Sequence, residues 1–454
     1  MTQNTTTPPL IAQAPLAVTA AALRSGKLNL LNYIKRVCDR VDAVDGQIQS
    51  FLPEAERRAR LKREAEALAA RYPTPEGRPP LYGMLIGVKD IYRVDGFPTK
   101  AGSALPPELF AGKEAACVRK LRDAGALVLG KTVSTEFAYF EPGPTRNPHN
   151  PAHTPGGSSS GSAAAAAAGL SSLTIGSQTI ASVIRPASFC GVVGFKSSYG
   201  RIDPAGVIHV AQSLDHVGLF TQDVQGMKLA ASILCKRWRA VKVKSMPTLG
   251  VPDGPYLAQA APAALQAFEA HINRLEGAGY TVDRVSLFDD IAEIKAAHLA
   301  LMAGEAAQVH RDWFAQHEAL YRPRTKELIR TGQGISAETM EKSRANQTLL
   351  RQLLESVMEV AGIDLWIAPA ASGPAPAGIA STGDPAMSFP WTNAGLPNIA
   401  LPAGKIGGLP FGLQLAGAFN QDENVLEWAG PIAELLVKPP KPSTRVHEEW
   451  GEEI

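Results

Sequence analysis

Apolar residues at helical spacing dominate the first part of the chain. Between positions 15 and 72 they recur every three or four residues, as at Leu28, Leu31, Ile34, Val37 and Val41. Farther along this stretch, glutamates alternate with arginines and lysines, which is typical of a solvated helix face rather than of a binding patch. We therefore expect a set of N-terminal helices within residues 1–80, packed on the remainder of the protein.

Short apolar runs follow, and they alternate with helical patterns. Residues 85–88 and 126–130 have the length and composition of buried strands, and residues 115–124 between them have a helical pattern. Strand signals return near the C-terminus, at residues 365–368, 398–401 and 411–415. This alternation predicts an α/β fold with helices on both faces of a central sheet.

The stretch between these two groups of strands has a different pattern. Long amphipathic helices are predicted at residues 260–277, 291–317 and 337–361. We assign 241–365 to a helical region that covers one side of the sheet and shapes a pocket, between a core region at 81–240 and a C-terminal part at 366–454. The C-terminal part would complete the core sheet and end in a helix. Since contacts between the two strand groups would close one sheet, we expect one structural domain.

Composition narrows the class of protein. The chain has 454 residues, of which 45% are apolar and 19% charged, and its formal net charge is +2. This describes a globular protein with a sizeable core, and the charge is too small to indicate a nucleic-acid or membrane partner. The N-terminal residues lack the pattern of a signal peptide, and no apolar stretch reaches the length of a membrane span. The expected location is cytoplasmic.

The four cysteines are scattered and have no histidine partner at ligand spacing. This argues against a disulfide framework and against a zinc site, so neither metal nor cofactor is expected.

Candidate chemistry is concentrated in two serine-containing loops and one lysine. The run Gly-Gly-Ser-Ser-Ser-Gly-Ser occupies residues 156–162, Ser182 follows Ser158 after twenty-four residues, and Lys89 ends an apolar run. A serine hydroxyl needs a base to become a nucleophile, and a buried, neutral lysine can be that base. The arrangement indicates an acyl-transfer site that uses no histidine.

The serine run has two other interpretations. Its composition also fits a flexible glycine–serine linker. Residues 157–161 match the Gly-x-Ser-x-Gly pattern of a nucleophile elbow, but the elbow requires a preceding apolar strand. Here a proline-rich stretch at 148–155 precedes the motif, so the elbow does not fit its context.

Taken together, these motifs resemble those of the amidase signature family. The resemblance extends from about residue 80 to 417 and is carried by Pro-Gly-Gly-Ser-Ser-Ser-Gly-Ser-Ala-Ala at 155–164 and Arg-Pro-Ala-Ser-Phe-Cys-Gly-Val-Val-Gly-Phe-Lys at 185–196. It implies a single large domain with a mixed, twisted sheet. It also implies a Ser–cis-Ser–Lys triad, with Ser182 as nucleophile, Ser158 as the cis serine and Lys89 as base. The implied oxyanion hole consists of the backbone N–H groups of Thr179, Ile180, Ala181 and Ser182.

The chain departs from the family pattern in three places. Ile180 and Ala181 stand where two glycines usually precede the nucleophile, which would narrow the acyl side of the pocket. Gln178 replaces a frequent aspartate. The arginine follows the nucleophile at the third position, as Arg185, rather than at the second. We interpret these departures as specificity features, although they could also weaken the oxyanion hole.

Supporting roles remain open for several residues. Ser159, like its neighbour Ser160, would orient Ser158 or cap the alanine-rich helix that follows. Gln178 and Arg185 are supporting candidates, and Arg185 is expected to be a buried, ion-paired anchor. His149, His153, His209 and His216 are expected to be hydrogen-bonded structural groups, and the basic stretch at 236–239 is expected to be exposed surface.

The predicted function is a serine amidohydrolase that cleaves small amides or anilides through an acyl-enzyme. Two alternatives stay open: a urethanase that hydrolyses small aryl carbamates by the same mechanism, and a glutaminase subunit of a tRNA-dependent amidotransferase. We expect a small-molecule substrate and a monomer or homodimer. Bulky apolar residues of the helical region either line the leaving-group side of the pocket or only pack the helices together, namely Met302, Trp313, Phe314 and Leu320.

Overall fold

A ten-stranded mixed sheet forms the centre of the molecule. The computed structural model describes residues 8–437. Within them, the strands are β1 (Leu85–Lys89), β2 (Leu127–Thr132), β3 (Leu173–Gln178), β4 (Val193–Lys196), β5 (His216–Thr221), β6 (Leu249–Asp253), β7 (Val282–Ser286), β8 (Leu365–Pro369), β9 (Asn398–Ile406) and β10 (Leu409–Gly417).

Strand order explains why distant parts of the chain form one unit. The order is β2-β1-β3-β5-β4-β9-β10-β8-β6-β7, with parallel pairing at both ends of the sheet and antiparallel pairing in the middle. The two strand groups meet where β4 pairs with β9, for example at Phe195 and Ile399. The α/β fold with a single mixed sheet is therefore confirmed.

Helices cover the sheet on both faces. Within the described residues they are α1 (Leu16–Arg24), α2 (Leu30–Ile48), α3 (Arg57–Arg71), α4 (Ala116–Asp123), α5 (Ser160–Ala167), α6 (Ile184–Cys190), α7 (Val224–Leu234), α8 (Pro262–Gly277), α9 (Ile291–His317), α10 (Pro323–Gln333), α11 (Ala337–Ala361), α12 (Phe389–Asn393) and α13 (Asp422–Val437). No helix among these is long and apolar enough to cross a membrane.

The helical predictions can be compared directly with these bounds. Helices α9 and α11 coincide with the predicted spans 291–317 and 337–361. The sequence analysis missed α10, and the region 241–365 also contributes strands β6 and β7 to the sheet. The ends of the predicted N-terminal and C-terminal segments, residues 1–7 and 438–454, lie outside the described residues.

The fold brings the candidate loops together at the carboxyl ends of two neighbouring strands. Strands β1 and β3 are parallel neighbours, and their carboxyl ends carry Lys89 and Gln178. Helix α5 lies against both strands and is buried along its whole length because its side chains are small. A Cβ atom on Gly161 would lie 2.3 Å from the Ser50 carbonyl oxygen, so this close packing requires glycine.

A second close approach fixes helix α10 on α9. A Cβ atom on Gly332 would lie 1.9 Å from the carbonyl oxygen of Ala303, which is backbone and cannot rotate away. We expect Gly332→Ala to lower the free energy of unfolding by roughly 1–3 kcal/mol, because overpacking forces the helices apart. Urea denaturation would measure this.

Gly277→Ala is the matched control, since nothing lies within 4 Å of a Cβ atom at that helical position. Equal urea midpoints for the Gly332→Ala protein and the wild type would contradict the close approach of α9 and α10.

Candidate active site

Lys89 is the buried centre of the site. Its side chain has no exposed surface, and its Nζ atom lies 2.6 Å from Ser158 Oγ, 3.1 Å from Ser159 Oγ and 2.9 Å from Ser177 Oγ. Burial lowers the pKa of Lys89 well below its usual 10.5, and the negative charge of Asp215 opposes this only in part. A neutral amine has two N–H donors and one lone pair, so it can donate to two of these hydroxyls and accept from the third.

The loop that carries Ser158 is fixed by glycines. The peptide bond between Gly157 and Ser158 is cis, and Gly156 has a φ of 82°. A Cβ atom on Gly157 would lie 2.5 Å from Thr382 Cγ2, and one on Gly156 would lie 2.9 Å from Pro186 Cα. Larger side chains would therefore displace the loop from the 382 segment and from α6.

Ser159 orients the lysine rather than capping a helix. Its Oγ atom accepts a hydrogen bond from Ser177 N and donates to Ser177 O, both at 3.1 Å, besides its contact with Lys89. Although Ser159 precedes α5, its side chain makes no capping bond. The capping alternative for Ser159 is thus wrong, because the hydroxyl is already engaged by β3.

Ser182 lies in the loop between β3 and α6. It is 8% exposed and shares a cavity with Ser158, Thr179, Ile180 and Ala181. Within the described part of the chain, the backbone N–H groups of residues 179–182 donate to no protein acceptor. Four unpaired donors beside a hydroxyl can bind a carbonyl oxygen that gains negative charge.

Both the oxygen and the nitrogen of the Gln178 side-chain amide make hydrogen bonds that hold this loop in place. Its Oε1 atom accepts from Val183 N at 2.8 Å and from Ile184 N at 3.0 Å, and its Nε2 donates to Thr392 Oγ1 at 2.9 Å. Thr392 in turn donates to the carbonyl oxygen of Ile180 at 2.6 Å. A carboxylate could not supply the Nε2 donor, so glutamine ties the loop to α12 in a way that aspartate would not.

Asp215 and His298 are neighbours of the loop that sequence reasoning missed. Thr179 Oγ1 donates to Asp215 at 2.5 Å, and His298 Nε2 lies 3.0 Å from the Thr179 carbonyl oxygen. Burial lowers the pKa of His298 to about 4, so this ring is neutral at ordinary pH. Asp215 contacts Thr179 from the turn before β5 and His298 contacts it from α9, and no local motif marks either residue.

The histidines singled out in the sequence are hydrogen-bonded structural groups. His149, His153 and His216 each lie within 3 Å of a backbone carbonyl oxygen, and His209 lies 3.0 Å from Asp215. Each ring therefore has a partner that accounts for its position.

Arg185 is buried, but its predicted ion pair is wrong. Its guanidinium donates to the carbonyl oxygens of Gly383 at 2.5 Å and Gly157 at 2.8 Å, and to Thr382 Oγ1 at 3.0 Å. These partners are neutral oxygens, and burial lowers the pKa of Arg185 to about 10. Arg185 therefore links the Ser158 loop to the 382–385 segment.

The cavity beside Ser182 is narrow, with about 10 Å³ of accessible volume, roughly the space of one water molecule. Of the four bulky residues proposed for its leaving-group side, Met302 lines it. Phe314 packs on Tyr321, Trp313 packs on Phe110 and Phe137, and Leu320 is 40% exposed at the surface. For Trp313 and Phe314 the packing interpretation is the correct one, whereas the exposed Leu320 does not line the cavity. Aromatic residues before the serine loop line the cavity instead, namely Tyr139 and Phe140.

Comparison with known proteins adds an independent line of evidence. A sequence profile described as Amidase matches residues 32–426. A glutamyl-tRNA(Gln) amidotransferase subunit from Lysinibacillus sphaericus is 30% identical over 89% of this chain and 93% of its own length. AtzE, a 1-carboxybiuret hydrolase subunit from a Pseudomonas species, is 31% identical over 87% of this chain and 93% of its own length.

A solved amidase crystal structure has a TM-score of 0.82 to this fold and 30% identity, over 92% of this chain and 99% of the other. Likeness of this extent, in both sequence and fold, means that the chain belongs to the Amidase family, the amidase signature enzymes.

Proposed function

We propose that this protein is a serine amidohydrolase that cleaves the C–N bond of small amides and anilides through an acyl-enzyme on Ser182. Members of its family are hydrolases of carbon–nitrogen bonds other than peptide bonds. The observation that carries the proposal is the 2.6 Å contact between the buried Lys89 amine and Ser158, beside a cavity that Ser158 shares with Ser182.

In the proposed first step, Ser182 attacks the substrate carbonyl carbon. Neutral Lys89 takes the Ser158 proton while Ser158 takes the proton of Ser182, so the new C–O bond forms without a free alkoxide. The carbonyl oxygen becomes an oxyanion, and the unpaired N–H groups of residues 179–182 donate to it. Each such donor is worth about 3–4 kcal/mol to acyl transfer in other enzymes.

In the second step, the proton returns by the same route. Lys89 gives a proton to Ser158, and Ser158 gives one to the leaving nitrogen as the C–N bond breaks. The acyl group remains on Ser182 as an ester, and a water molecule then repeats the sequence to release the acid. Lys89 is neutral at the beginning and at the end.

The cavity favours a small and largely apolar substrate. Its accessible volume, about 10 Å³, lies far below the roughly 300–1,000 Å³ found for ligand sites, so lining side chains must move to admit a substrate. Ile180 and Ala181 narrow it where glycines would leave room. Arg185 contributes the one charged side chain among the lining residues, and neutral protein oxygens already occupy its Nη atoms.

This lining bears on the two alternative functions. Free glutamine carries a charged carboxylate and a charged amine. The lining offers no carboxylate for the amine, and its one cation is Arg185, whose Nη atoms bond to protein oxygens while its Nε has no partner among the described residues. Similarity to an amidotransferase subunit keeps glutamine hydrolysis as the competing proposal. A small aryl carbamate has the same planar carbonyl and amine leaving group as an anilide, so carbamate hydrolysis is a variant of the main proposal.

The nucleophile can be identified by covalent labelling. We expect Ser182→Ala to abolish labelling by a fluorophosphonate probe, because the probe needs an activated hydroxyl. Ser160→Ala is the matched control, since Ser160 Oγ faces the Val133 carbonyl oxygen at 3.4 Å rather than Lys89. Strong labelling of the Ser182→Ala protein would mean that another serine is the nucleophile.

Replacing Lys89, the proposed base, should lower the activity without unfolding the protein. We expect Lys89→Met to reduce turnover by about 10²-fold or more, the scale of general-base catalysis, while the protein stays folded. The wild type should gain activity as the pH rises through the lowered pKa of Lys89. Wild-type activity that falls over this pH range would contradict the proposal.

The same variant tests the cost of burying Lys89. Because the pKa of Lys89 is lower in the folded than in the unfolded protein, the unfolded state binds an extra proton between these two values. The unfolding free energy of the wild type relative to Lys89→Met should therefore increase as the pH rises toward 10.5. Urea denaturation across this pH range measures the difference, and a constant difference would mean that Lys89 stays protonated in the folded protein.

A substrate panel separates the proposed functions. We expect hydrolysis of small anilides or aryl carbamates with a higher kcat/KM than glutamine, because the cavity offers apolar contacts and no pair of charges. Product analysis by chromatography, with the Ser182→Ala protein as blank, would measure kcat/KM for the aryl substrates and for glutamine. Faster hydrolysis of glutamine than of every aryl substrate would favour the amidotransferase function.

A further inference from the structure

Three of the residues that line the catalytic cavity are not fully buried, and they form its mouth. These mouth residues are Tyr139, Phe140 and Pro385, whereas the other lining residues, including Ser158, Ser182 and Met302, are buried. All three present largely apolar surface. A group that enters or leaves the cavity must therefore pass two aromatic rings and a proline.

The loop that carries the two rings is anchored at its base. Glu136 N donates to the Glu141 carbonyl oxygen at 3.0 Å, which closes the loop. The Glu136 carboxylate accepts from Arg322 N at 3.1 Å, and the Glu141 carboxylate accepts from Arg324 N at 2.7 Å. The two carboxylates thus bind backbone donors at the beginning of α10 and fix the loop to that helix.

Between these anchors the backbone adopts an unusual conformation. Phe137 and Ala138 have φ angles of 46° and 58°, in the left-handed region that side chains disfavour. Phe137 is buried, and its ring lies 4.5 Å from the His310 ring and 5.3 Å from the Tyr321 ring. Packing of Phe137 therefore holds the strained turn, and the turn directs the next two residues to the cavity.

The opposite side of the mouth is connected to the serine loop. Pro385 follows Thr382 and Gly383, which both accept hydrogen bonds from Arg185. The same guanidinium donates to the Gly157 carbonyl oxygen, one residue before Ser158. The mouth thus has a fixed position relative to the candidate catalytic groups.

We propose that Tyr139 and Phe140 determine specificity for the leaving group and select planar, apolar amines of the aniline type. This inference rests on the proposed function. The acyl group stays bonded to Ser182 in the buried part of the cavity, so the amine is the part that departs through the mouth. An aryl group gains contact area and ring–ring contacts with Tyr139 and Phe140, whereas ammonia gains neither.

The test compares two substrates that form the same acetyl-enzyme, acetanilide and acetamide. For the double variant Tyr139→Ala/Phe140→Ala, we expect kcat/KM on acetanilide to fall about tenfold or more, mainly through KM, as aromatic contacts are lost. On acetamide it should stay within about threefold, because ammonia does not contact the rings. Tyr139→Phe should retain the wild-type preference, since it keeps the ring.

Leu320→Ala is the matched control, because Leu320 is an exposed apolar residue of the neighbouring region that lies outside the cavity. An equal loss of kcat/KM on both substrates, or no loss on acetanilide, would contradict the proposed role of the mouth residues. So would a wild-type enzyme that hydrolyses acetamide but not acetanilide, although the amidohydrolase function would then stand. A wild type that hydrolyses neither substrate and is not labelled at Ser182 would refute both.

Discussion

Burial of one amine among three hydroxyls is the interaction on which the rest of the site depends. Lys89 lies at the end of strand β1, with no exposed surface and with serine oxygens at hydrogen-bond distance. An ammonium ion would lose its hydration there, and the compensating carboxylate, Asp215, lowers this cost only in part. The fold therefore favours the neutral amine, which has a lone pair that can accept a proton.

The surrounding structure keeps this small polar group in position. The alanine helix α5 lets the serine loop approach β1 and β3 closely, and Ser159 and Ser177 bond to each other as well as to the lysine. Gln178 and Thr392 hold the loop with the unpaired N–H groups from the other side. These hydrogen bonds lie within a buried region, where water cannot take the place of a partner that is lost.

Much of the fold and the central residues of the site could be predicted from the sequence. The long helices α9 and α11 have strong periodicity, and Lys89, Ser158 and Ser182 stand in a long, ordered motif. Strand β7 was missed because it is short and only half-buried, so its polar residues hide the strand pattern. Helix α10 was missed because it is short and rich in charged residues.

The supporting shell could not be predicted because its partners come from distant elements. Thr392 lies more than two hundred residues from Gln178, and His298 reaches Thr179 from α9. Periodicity indicated that Trp313 and Phe314 are bulky members of an amphipathic helix. It could not indicate that both pack into an aromatic cluster while Tyr139 and Phe140 border the cavity.

The central claim is that burial favours the neutral form of Lys89 in the folded protein, and the pKa of its side chain tests this most directly. NMR titration of isotopically labelled lysine side chains would follow each Cε signal with pH, and Lys89→Met would assign the signal. Assignment is essential because burial also lowers the pKa of Lys196, to about 7. The account predicts that the signal absent from Lys89→Met titrates well below 10.5. A signal that titrates near 10.5 or above would contradict it.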